Sequence, residues 1–425
     1  MSQAEAAPNV NVAAPNVPYF TPLQDPPSGS AVASGQPIPK LFQPLRLRGL
    51  EFQNRIFLSP LCQYSSKDGL VNPWIFAHLG GIVSRGPGLT FTEAAAVLPN
   101  GRTTPEDAGI WSDEHAKAFK PIVEFAHSQN QKIGIQLAHA GRKASCIAPF
   151  LDGDAKAGKE LGGWPDNVWG PTTVPFHETY PNPKEMTKEQ IKEVTQAFVD
   201  SAKRAVDVGF DVIEIHSAHG YLLSSFLCPT SNTRKDEYGG ENFENRIRLL
   251  VEVVKAVRGV IPESMPLFVR ISATEWLEHL PDVHSWKVED AARLAPILAS
   301  LGVDLLDISA GGNDPRQKVR PGPQYQVGFA HTVKSALPAG TKTLVSAVGG
   351  LHVAKDAYEV LETGKADVVF VGRQFQRNPG LVWDMAEELG VQVNVAKQIG
   401  WGFRGRGKKG LGWGRKEAEK EDSKL

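Results

Sequence analysis

Eight short apolar segments recur along most of this sequence, and stretches with the periodicity of amphipathic helices separate them. Short, nearly continuous apolar runs are typical of parallel strands that are covered on both faces. The predicted strands are residues 55–58, 89–93, 132–138, 211–216, 266–272, 303–309, 343–348 and 366–371. This regular alternation predicts an α/β fold built from a parallel sheet.

The segments between the strands carry signals for the ends of helices. Thr187 and Gln190 form a capping-box pattern at the start of an apolar stripe, and Gly209 after the stripe suits a left-handed C-terminal position. Ser112 and Asn242 are of the type that starts a helix, and each precedes a further apolar stripe. We therefore expect helices between the predicted strands.

Eight strand–helix repeats favour a closed (β/α)8 TIM barrel. An open doubly wound sheet is the alternative, but no GxGxxG pattern follows the first predicted strand. Residues 38–395 would form the barrel, after a flexible N-terminal arm at 1–37 and before a basic and charged tail at 396–425. The Pro- and Gly-rich stretch 143–183 has little periodicity and would form a capping excursion.

Composition excludes several classes of protein. The chain has 425 residues, a formal net charge of −1 and three cysteines, which favours neither nucleic acid nor a membrane as a partner and fits a reducing compartment. No apolar run reaches the ~20 residues that would cross a bilayer. The N-terminus lacks a basic start followed by an apolar run, so no secretory signal is predicted. We therefore expect a cytoplasmic protein.

The fourth predicted strand leads into the residues with the most distinctive chemistry. These are His216, His219 and Tyr221, which the end of a barrel strand would hold at one mouth. Imidazoles and a phenol can bind and protonate a polarised oxygen-bearing substrate. Two histidines at this spacing are also compatible with a metal site or with a hydrogen-bonded structural pair. The pattern by itself leaves these alternatives open.

The other strand ends supply residues suited to a flat, phosphorylated ligand. Ala94 leaves space for a ring, Gln136 offers amide atoms, and Arg270 offers a positive charge or, alternatively, a structural ion pair inside the barrel. Glycines follow the last three strands, where backbone N–H groups can approach phosphate oxygens: Gly311, Gly312, Gly349, Gly350 and Gly372. Arg373 would add a charge-assisted contact.

Taken together, these motifs resemble those of the Old Yellow Enzyme family of FMN-dependent ene-reductases, and within it the thermophilic-like subclass. They lie in the expected order between about residues 40 and 380. The matching segments are Ser59-Pro60-Leu61-Cys62-Gln63-Tyr64, Gly109-Ile-Trp-Ser-Asp113, Gln136-Leu-Ala-His-Ala-Gly-Arg142, His216-Ser-Ala-His-Gly-Tyr-Leu222, Tyr238-Gly-Gly240 with Asn245-Arg246, Val269-Arg-Ile-Ser272, Ser309-Ala-Gly-Gly312 and Val371-Gly-Arg373.

The resemblance implies that FMN binds non-covalently in the barrel mouth. The residues around its ring and ribityl chain would be Ser59, Pro60, Leu61, Cys62, Ala94, Gln136 and Arg270, and the phosphate would be held by Gly349, Gly350, Gly372 and Arg373. Cys62, which replaces the threonine of other subclasses, would adjust the redox potential of the flavin. Tyr64 would contact the substrate.

The same resemblance implies a reaction in two halves. NADPH would reduce the flavin, and flavin N5 would then give hydride to the β-carbon of an α,β-unsaturated carbonyl compound. His216 and His219 would bind the carbonyl oxygen, and Tyr221 would protonate the α-carbon. No metal is expected. A specialised flavin isomerase or dehydrogenase of secondary metabolism remains an alternative, as does a His-based metal-dependent hydrolase on the same barrel.

Members of the subclass tend to place a C-terminal arginine in a neighbouring active site. A homo-oligomer, either a dimer or a tetramer, is therefore expected. Arg404 and Arg406 are the candidates in this chain, and the alternative is that both belong to a solvated basic tail.

Overall fold

The chain forms a closed barrel of eight parallel strands, which confirms the predicted TIM-barrel fold. The computed structural model describes residues 10–152, 155–404 and 412–413. The barrel strands are β1 (Ile56–Leu58), β2 (Leu89–Ala96), β3 (Ile133–Ala138), β4 (Val212–Ser217), β5 (Leu267–Ser272), β6 (Leu305–Ser309), β7 (Leu344–Val348) and β8 (Val368–Val371). Each strand pairs in parallel with the next, and β8 pairs with β1, so the barrel has no open edge.

Helices cover the outside of the barrel, and their ends agree with the capping signals. They are α1 (Pro73–Val83), α2 (Asp113–Ser128), α3 (Lys188–Val208), α4 (Phe243–Arg258), α5 (Val288–Ser300), α6 (Val327–Ser335), α7 (Ala354–Glu362) and α8 (Leu381–Glu388). At α3, Thr187 and Gln190 form the predicted reciprocal capping box, and Gly209 follows with a φ of 101°. Ser112 and Asn242 cap α2 and α4 with their side chains.

Within the described residues, only short elements lie outside these repeats. The predicted excursion at 143–183 contains a single-turn helix, Pro149–Asp152, and the 3-10 turns Lys159–Leu161 and Pro165–Asn167. Other short helices are Leu222–Leu227, Arg373–Arg377 and Lys397–Arg404, and other 3-10 turns are Lys40–Phe42, Pro99–Gly101 and Gly141–Lys143. The short paired strands are Leu45–Leu47 with Leu50–Phe52, Trp169–Gly170 with Lys184–Glu185, and Val393–Asn394 with Gly412–Trp413.

The end of the barrel interior at the start of the strands is apolar. Phe57, Phe91, Phe268 and Phe370, which we call the apolar layer, are each at most 1% exposed. The ring centroid of Phe370 lies 5.5 Å from that of Phe57 and 5.9 Å from that of Phe91, and the centroids of Phe91 and Phe268 are 6.1 Å apart. The hairpin of Leu45–Leu47 and Leu50–Phe52 packs against the same cluster. Because this end is filled with rings, the opposite end is left for a ligand.

Residues 10–37, the described part of the predicted arm, make hydrogen bonds with the rest of the chain, and residues 1–9 of that arm lie outside the described residues. The Gly29 N–H donates to the Asn394 carbonyl at 2.8 Å, and Asn54 Nδ2 donates to the Gly29 carbonyl at 3.0 Å. Gln24 Oε1 accepts a hydrogen bond from the Lys397 N–H at 3.0 Å. The segment is held by hydrogen bonds of its backbone and amide side chains, and hydrophobic periodicity does not reveal such contacts.

The predicted contact of the tail with a neighbouring site stays a prediction. Arg406 lies outside the described residues, and for Arg404 the structure describes only the backbone, as the last residue of Lys397–Arg404.

Among the described residues, no helix combines the length and apolar character needed to span a membrane.

Candidate active site

The carboxyl ends of the barrel strands surround a cavity of about 480 Å³. This volume is within the roughly 300–1,000 Å³ typical of small-molecule sites. The residues that the family resemblance assigns to the cofactor and the substrate all line the cavity: Ser59, Pro60, Leu61, Cys62, Tyr64, Ala94, Gln136, His216, His219, Tyr221, Arg270, Gly349, Gly350, Gly372 and Arg373. Closure of the barrel therefore brings together residues that are far apart in sequence.

His216 and His219 are fixed at the wall of this cavity by hydrogen bonds. Their rings are nearly perpendicular, with centroids 5.3 Å apart. His216 Nδ1 accepts a hydrogen bond from the Ala218 N–H at 3.3 Å, so in the neutral ring the proton is on Nε2. His219 Nε2 lies 2.7 Å from the Ser309 hydroxyl oxygen. The hydrogen bonds with the Ala218 N–H and the Ser309 hydroxyl therefore set the orientation of the rings, and the first of them sets the tautomer of His216.

The glycines after β6 support the turn that carries His219, which corrects their predicted place at the phosphate. Neither Gly311 nor Gly312 lines the cavity. Ser272 Oγ accepts from the His219 N–H at 2.9 Å and donates to the Gly311 carbonyl at 2.9 Å. Lys143 Nζ donates to the carbonyl groups of both His219 and Gly312, at 2.9 and 2.6 Å. The two glycines thus support the turn that carries His219.

Both histidines are neutral near pH 7. Burial lowers the pKa of His216 and His219 well below the usual histidine value, and the positive charge of Arg270 lowers both further. The charge of Lys143 acts in the same direction. A neutral imidazole still has one N–H donor, so the pair can bind a carbonyl oxygen without itself carrying a charge.

Tyr221 lies beside the histidines with its proton retained. Its ring centroid is 5.0 Å from that of His216, and the two rings are nearly perpendicular. Burial raises the pKa of the phenol above its usual value, and Cys62 adds to the shift. A phenol that stays protonated at neutral pH can act as a general acid.

A band of polar side chains crosses the barrel beneath the cavity. Its members, which we call the polar layer, are Gln136, Glu214, Arg270, Asp307 and Ser346 from five successive strands. Gln136 Nε2 donates to Glu214 Oε1 at 2.7 Å. Arg270 Nε lies 2.9 Å from Asp307 Oδ2 in a buried ion pair, and Ser346 donates to Asp307 Oδ1 at 2.6 Å. Arg270 therefore both makes the structural ion pair and lines the cavity.

The loop after β1 brings Cys62 and Tyr64 to the cavity in uncharged form. Burial raises the pKa of the Cys62 thiol well above its usual value, and Asp107 and Glu93 add to the shift. Tyr64 has a φ of 49°, and its ring makes an edge contact with Phe150 at a centroid distance of 6.1 Å. Burial also raises the pKa of the Tyr64 phenol.

The turns after β7 and β8 form the cationic end of the cavity. Gly349 and Gly350 have φ values of 98° and 70°. A Cβ at Gly350 would lie 2.2 Å from the Gly322 carbonyl oxygen, so no larger residue fits this turn. Arg373 and Arg377, one helical turn apart, both line the cavity. Two guanidinium groups beside glycine turns suit an anionic group such as a phosphate.

Sequence reasoning missed several residues that line the cavity. They are Tyr325, Gln326, Val348, Leu351, His352, Phe370, Gln374 and Arg377. His352, Gln374 and Arg377 follow the predicted glycines by two to five positions, so a longer window past each strand end finds them. Tyr325 and Gln326 come from the loop between β6 and α6, where no motif marks them.

Comparisons with known proteins identify the family. The family model described as the NADH:flavin oxidoreductase / NADH oxidase family matches residues 40–392. An NADH:flavin oxidoreductase of Gibberella zeae is 52% identical over 410 residues, which cover 94% of this chain and 97% of that protein. An NADPH dehydrogenase of Geobacillus thermodenitrificans is 43% identical over 370 residues, which cover 85% of this chain and 99% of that protein.

Solved structures agree with this assignment. A morphinone reductase is similar with a TM-score of 0.65 and 26% identity, and the match covers 84% of this chain and 91% of that one. A 2-naphthoyl-CoA reductase has a TM-score of 0.73 at 21% identity, which supports the fold alone.

The family decides between the enzyme classes that the histidine pattern left open. Among the described residues, no group of three or more His, Cys, Asp or Glu side chains is arranged to hold a metal ion. The relatives are oxidoreductases that use NADH or NADPH, and this replaces the metal-dependent hydrolase as an interpretation. The chain belongs to the NADH:flavin oxidoreductase family, the family of Old Yellow Enzyme.

Proposed function

We propose that this protein binds FMN in the cavity and uses NADPH to reduce the activated C=C bond of α,β-unsaturated carbonyl compounds. One observation carries the proposal. Two neutral imidazoles and a protonated phenol, from His216, His219 and Tyr221, line one wall of a cavity that also has a cationic end. This combination can bind a carbonyl oxygen and donate a proton to a neighbouring carbon.

The residues present fit FMN. Ser59, Pro60, Leu61, Cys62, Ala94, Gln136 and Arg270 would surround its ring and ribityl chain, and Gly349, Gly350, Gly372 and Arg373 would hold its phosphate. We add Arg377 to the phosphate group because it lines the same end. Gly349 and Gly350 have no side chain and line the cavity, so a phosphate could approach their backbone N–H groups closely. Bound FMN would supply the hydride chemistry that none of these side chains provides.

The histidines would bind and polarise the substrate. His216 Nε2–H is directed by the bond that its Nδ1 accepts from Ala218. Together with His219 it would hold the carbonyl oxygen and stabilise the negative charge that develops there during reduction. Since both imidazoles are neutral, they would donate hydrogen bonds to this oxygen without transferring a proton to it.

Tyr221 would supply the proton at the α-carbon. Its raised pKa means that the phenol holds a proton at the start of each turnover. The position of its ring 5.0 Å from that of His216 would set it near a carbon adjacent to the bound carbonyl group. Tyr64 and Cys62 would border the substrate and the cofactor from the loop after β1.

NADPH is proposed as the hydride donor because several relatives are NADPH dehydrogenases. Membership of the thermophilic-like subclass is part of the proposal and is supported by Cys62, which replaces the threonine of other subclasses. The proposal also includes a dimer or tetramer, in which an arginine of the tail lies near a neighbouring site. It further includes a cytoplasmic location. Operation as an isomerase or dehydrogenase on one natural substrate would use the same residues.

Product analysis tests the proposal. The purified protein would be incubated without oxygen with NADPH and 2-cyclohexenone in D₂O, and the product examined by gas chromatography with mass spectrometry. We expect cyclohexanone in a one-to-one ratio to the NADPH consumed, with one deuterium at the α-carbon from the exchanged Tyr221 phenol. Consumption of NADPH without a saturated ketone would contradict enone reduction.

A further inference from the structure

Glu214 is a fully buried carboxyl group that the proposed reaction does not use. It lies on β4, two residues before His216, and its side chain is 0% exposed. One oxygen, Oε1, accepts a hydrogen bond from Gln136 Nε2 at 2.7 Å. The other oxygen, Oε2, has no hydrogen-bond partner among the described residues. A buried group of this kind costs stability unless its position brings a compensating gain.

Its neighbours make a simple ion-pair role inadequate. The guanidinium of Arg270 is paired through Nε with Asp307 at 2.9 Å, so that cation already has an anionic partner. Burial raises the pKa of Glu214 above its usual value, and Asp307 adds to the shift while Arg270 opposes it. Both the neutral and the ionised carboxyl retain an oxygen that accepts from Gln136.

The contact to Gln136 has a chemical consequence for the cavity. The amide of a glutamine side chain has a donor end and an acceptor end of almost the same shape, and only its partners decide which end faces where. Gln136 and Glu214 are direct neighbours in the register of β3 and β4. With Nε2 committed to Glu214, the acceptor Oε1 is the end left for the cavity that Gln136 lines.

We infer that Glu214 is a positioning residue that orients the Gln136 amide, so that the cavity offers a hydrogen-bond acceptor to an N–H group at the edge of a flat heterocyclic ligand. The inference rests on the proposed function because it takes the isoalloxazine ring of FMN, which has one ring N–H between two carbonyl groups, as that ligand. Glu214 itself does not line the cavity and would act through Gln136.

Titration of full-length, flavin-free protein with FMN, followed by the quenching of FMN fluorescence, tests this inference. In Glu214→Leu, Gln136 Nε2 loses the oxygen that accepts its hydrogen bond. When Gln136 Oε1 then accepts from the ligand N–H, the N–H₂ of the same amide is buried without a partner, so we expect the Kd for FMN to rise at least about tenfold.

The pair also permits a rescue. In the double variant Gln136→Glu with Glu214→Gln, the amide at position 214 would donate to one oxygen of the carboxyl at position 136, and the second oxygen would again face the cavity as an acceptor. We expect the Kd of this variant to return to within about threefold of wild type, which corresponds to a strong coupling between the two positions. A merely structural role for Glu214 would give no such recovery.

Glu93→Gln is the control for the replacement of a buried carboxyl group by an amide, the change that the double variant makes at position 214. Glu93 is also a buried carboxyl group on a barrel strand, its pKa is also raised to about 8 by burial, and it does not line the cavity. An amide at this position can still accept from the Gln63 N–H, which Glu93 Oε2 now accepts at 3.0 Å. We expect this variant to change the Kd for FMN by less than about threefold.

The outcomes are distinct. If wild type does not bind FMN, the proposed function is wrong. If wild type binds FMN and Glu214→Leu binds equally well, the inference about Glu214 is wrong while the proposed function stands. If Glu214→Leu binds weakly and the folded double variant does not recover, orientation of the amide is not the cause, and the inference is again overturned.

Discussion

The two layers of the barrel interior use the same strands for opposite purposes. On β5, Phe268 belongs to the apolar layer and Arg270, two residues later, to the polar layer. On β4, Val212 packs with the apolar layer, and Glu214 and His216 follow on the same face. Side chains alternate along a strand, so residues two apart point to the same side. Two residues along β4 or β5 therefore lead from the apolar layer to the polar layer beneath the cavity.

The contrast between the apolar layer and the polar layer indicates where this protein loses stability in favour of function. Burial of a phenylalanine side chain in the apolar layer stabilises the fold by about 1.5–3 kcal/mol. The polar layer instead holds a carboxyl oxygen of Glu214 without a hydrogen-bond partner among the described residues, and such a buried atom costs about 1–3 kcal/mol. We therefore expect substitutions in the apolar layer to change unfolding, and substitutions at the polar end to change binding and turnover.

The largest effect on turnover should come from Tyr221→Phe. Loss of the phenolic proton removes the general acid, so we expect reduction of 2-cyclohexenone to slow by about 10²–10⁴-fold. Reduction of the bound flavin by NADPH should be unchanged, because this step needs no proton from Tyr221. Stopped-flow spectrophotometry without oxygen measures the two half-reactions separately. Equal slowing of both would remove Tyr221 from the role of acid.

Phe91→Ala should have the largest effect on stability. Phe91 is 1% exposed and packs between the rings of Phe268 and Phe370. Removal of the ring would lower the free energy of unfolding by about 3–5 kcal/mol, as measured by urea unfolding. Phe91→Leu removes less volume and should cost less. We expect Phe91→Ala to retain its turnover per folded molecule. A loss of FMN affinity in the folded variant would contradict the assignment of stability to one layer and binding to the other.

Glu93→Gln should change how stability depends on pH. The folded-state pKa of Glu93 is raised to about 8, against an ordinary value of 4.5. Between these pH values the folded protein keeps a proton that the unfolded chain releases, so this contribution to stability is lost as the pH rises. Relative to wild type, the variant should become more stable in urea unfolding as the pH rises from 5 to 8. A constant difference across this range would contradict the raised pKa.

The smallest effect should come from the N-terminal segment. Gln24→Ala removes the hydrogen bond with the Lys397 N–H and the one with the Gln398 side chain. We expect a loss of about 1 kcal/mol or less in the free energy of unfolding. Limited proteolysis should then cut Lys397–Arg404 more readily. If cleavage became faster near the cavity instead, the N-terminal segment would be stabilising the end of the barrel that holds the polar layer.

The sequence allows much of this architecture to be predicted, for a physical reason. Parallel strands covered on both faces need continuous apolar runs, and helix ends need caps such as Thr187. Residues at strand ends, such as His216, Arg270 and Gly349, were found because barrel closure brings strand ends together.

The remaining features depend on spatial relations that a local pattern does not contain. The role of Gly312 behind the His219 turn depends on Lys143, which comes from a different strand end. Tyr325 reaches the cavity from a loop without periodicity. The packing of residues 10–37 depends on hydrogen bonds with residues near 394, at the opposite end of the chain.

The absorption spectrum of the purified protein, recorded without oxygen before and after NADPH and then after 2-cyclohexenone, tests the central claim most directly. We predict a flavin spectrum that NADPH bleaches and that the enone restores. A protein without flavin absorption that also fails to take up added FMN would contradict the account of the cavity. A flavin that NADPH bleaches and the enone leaves reduced would contradict the roles proposed for His216, His219 and Tyr221.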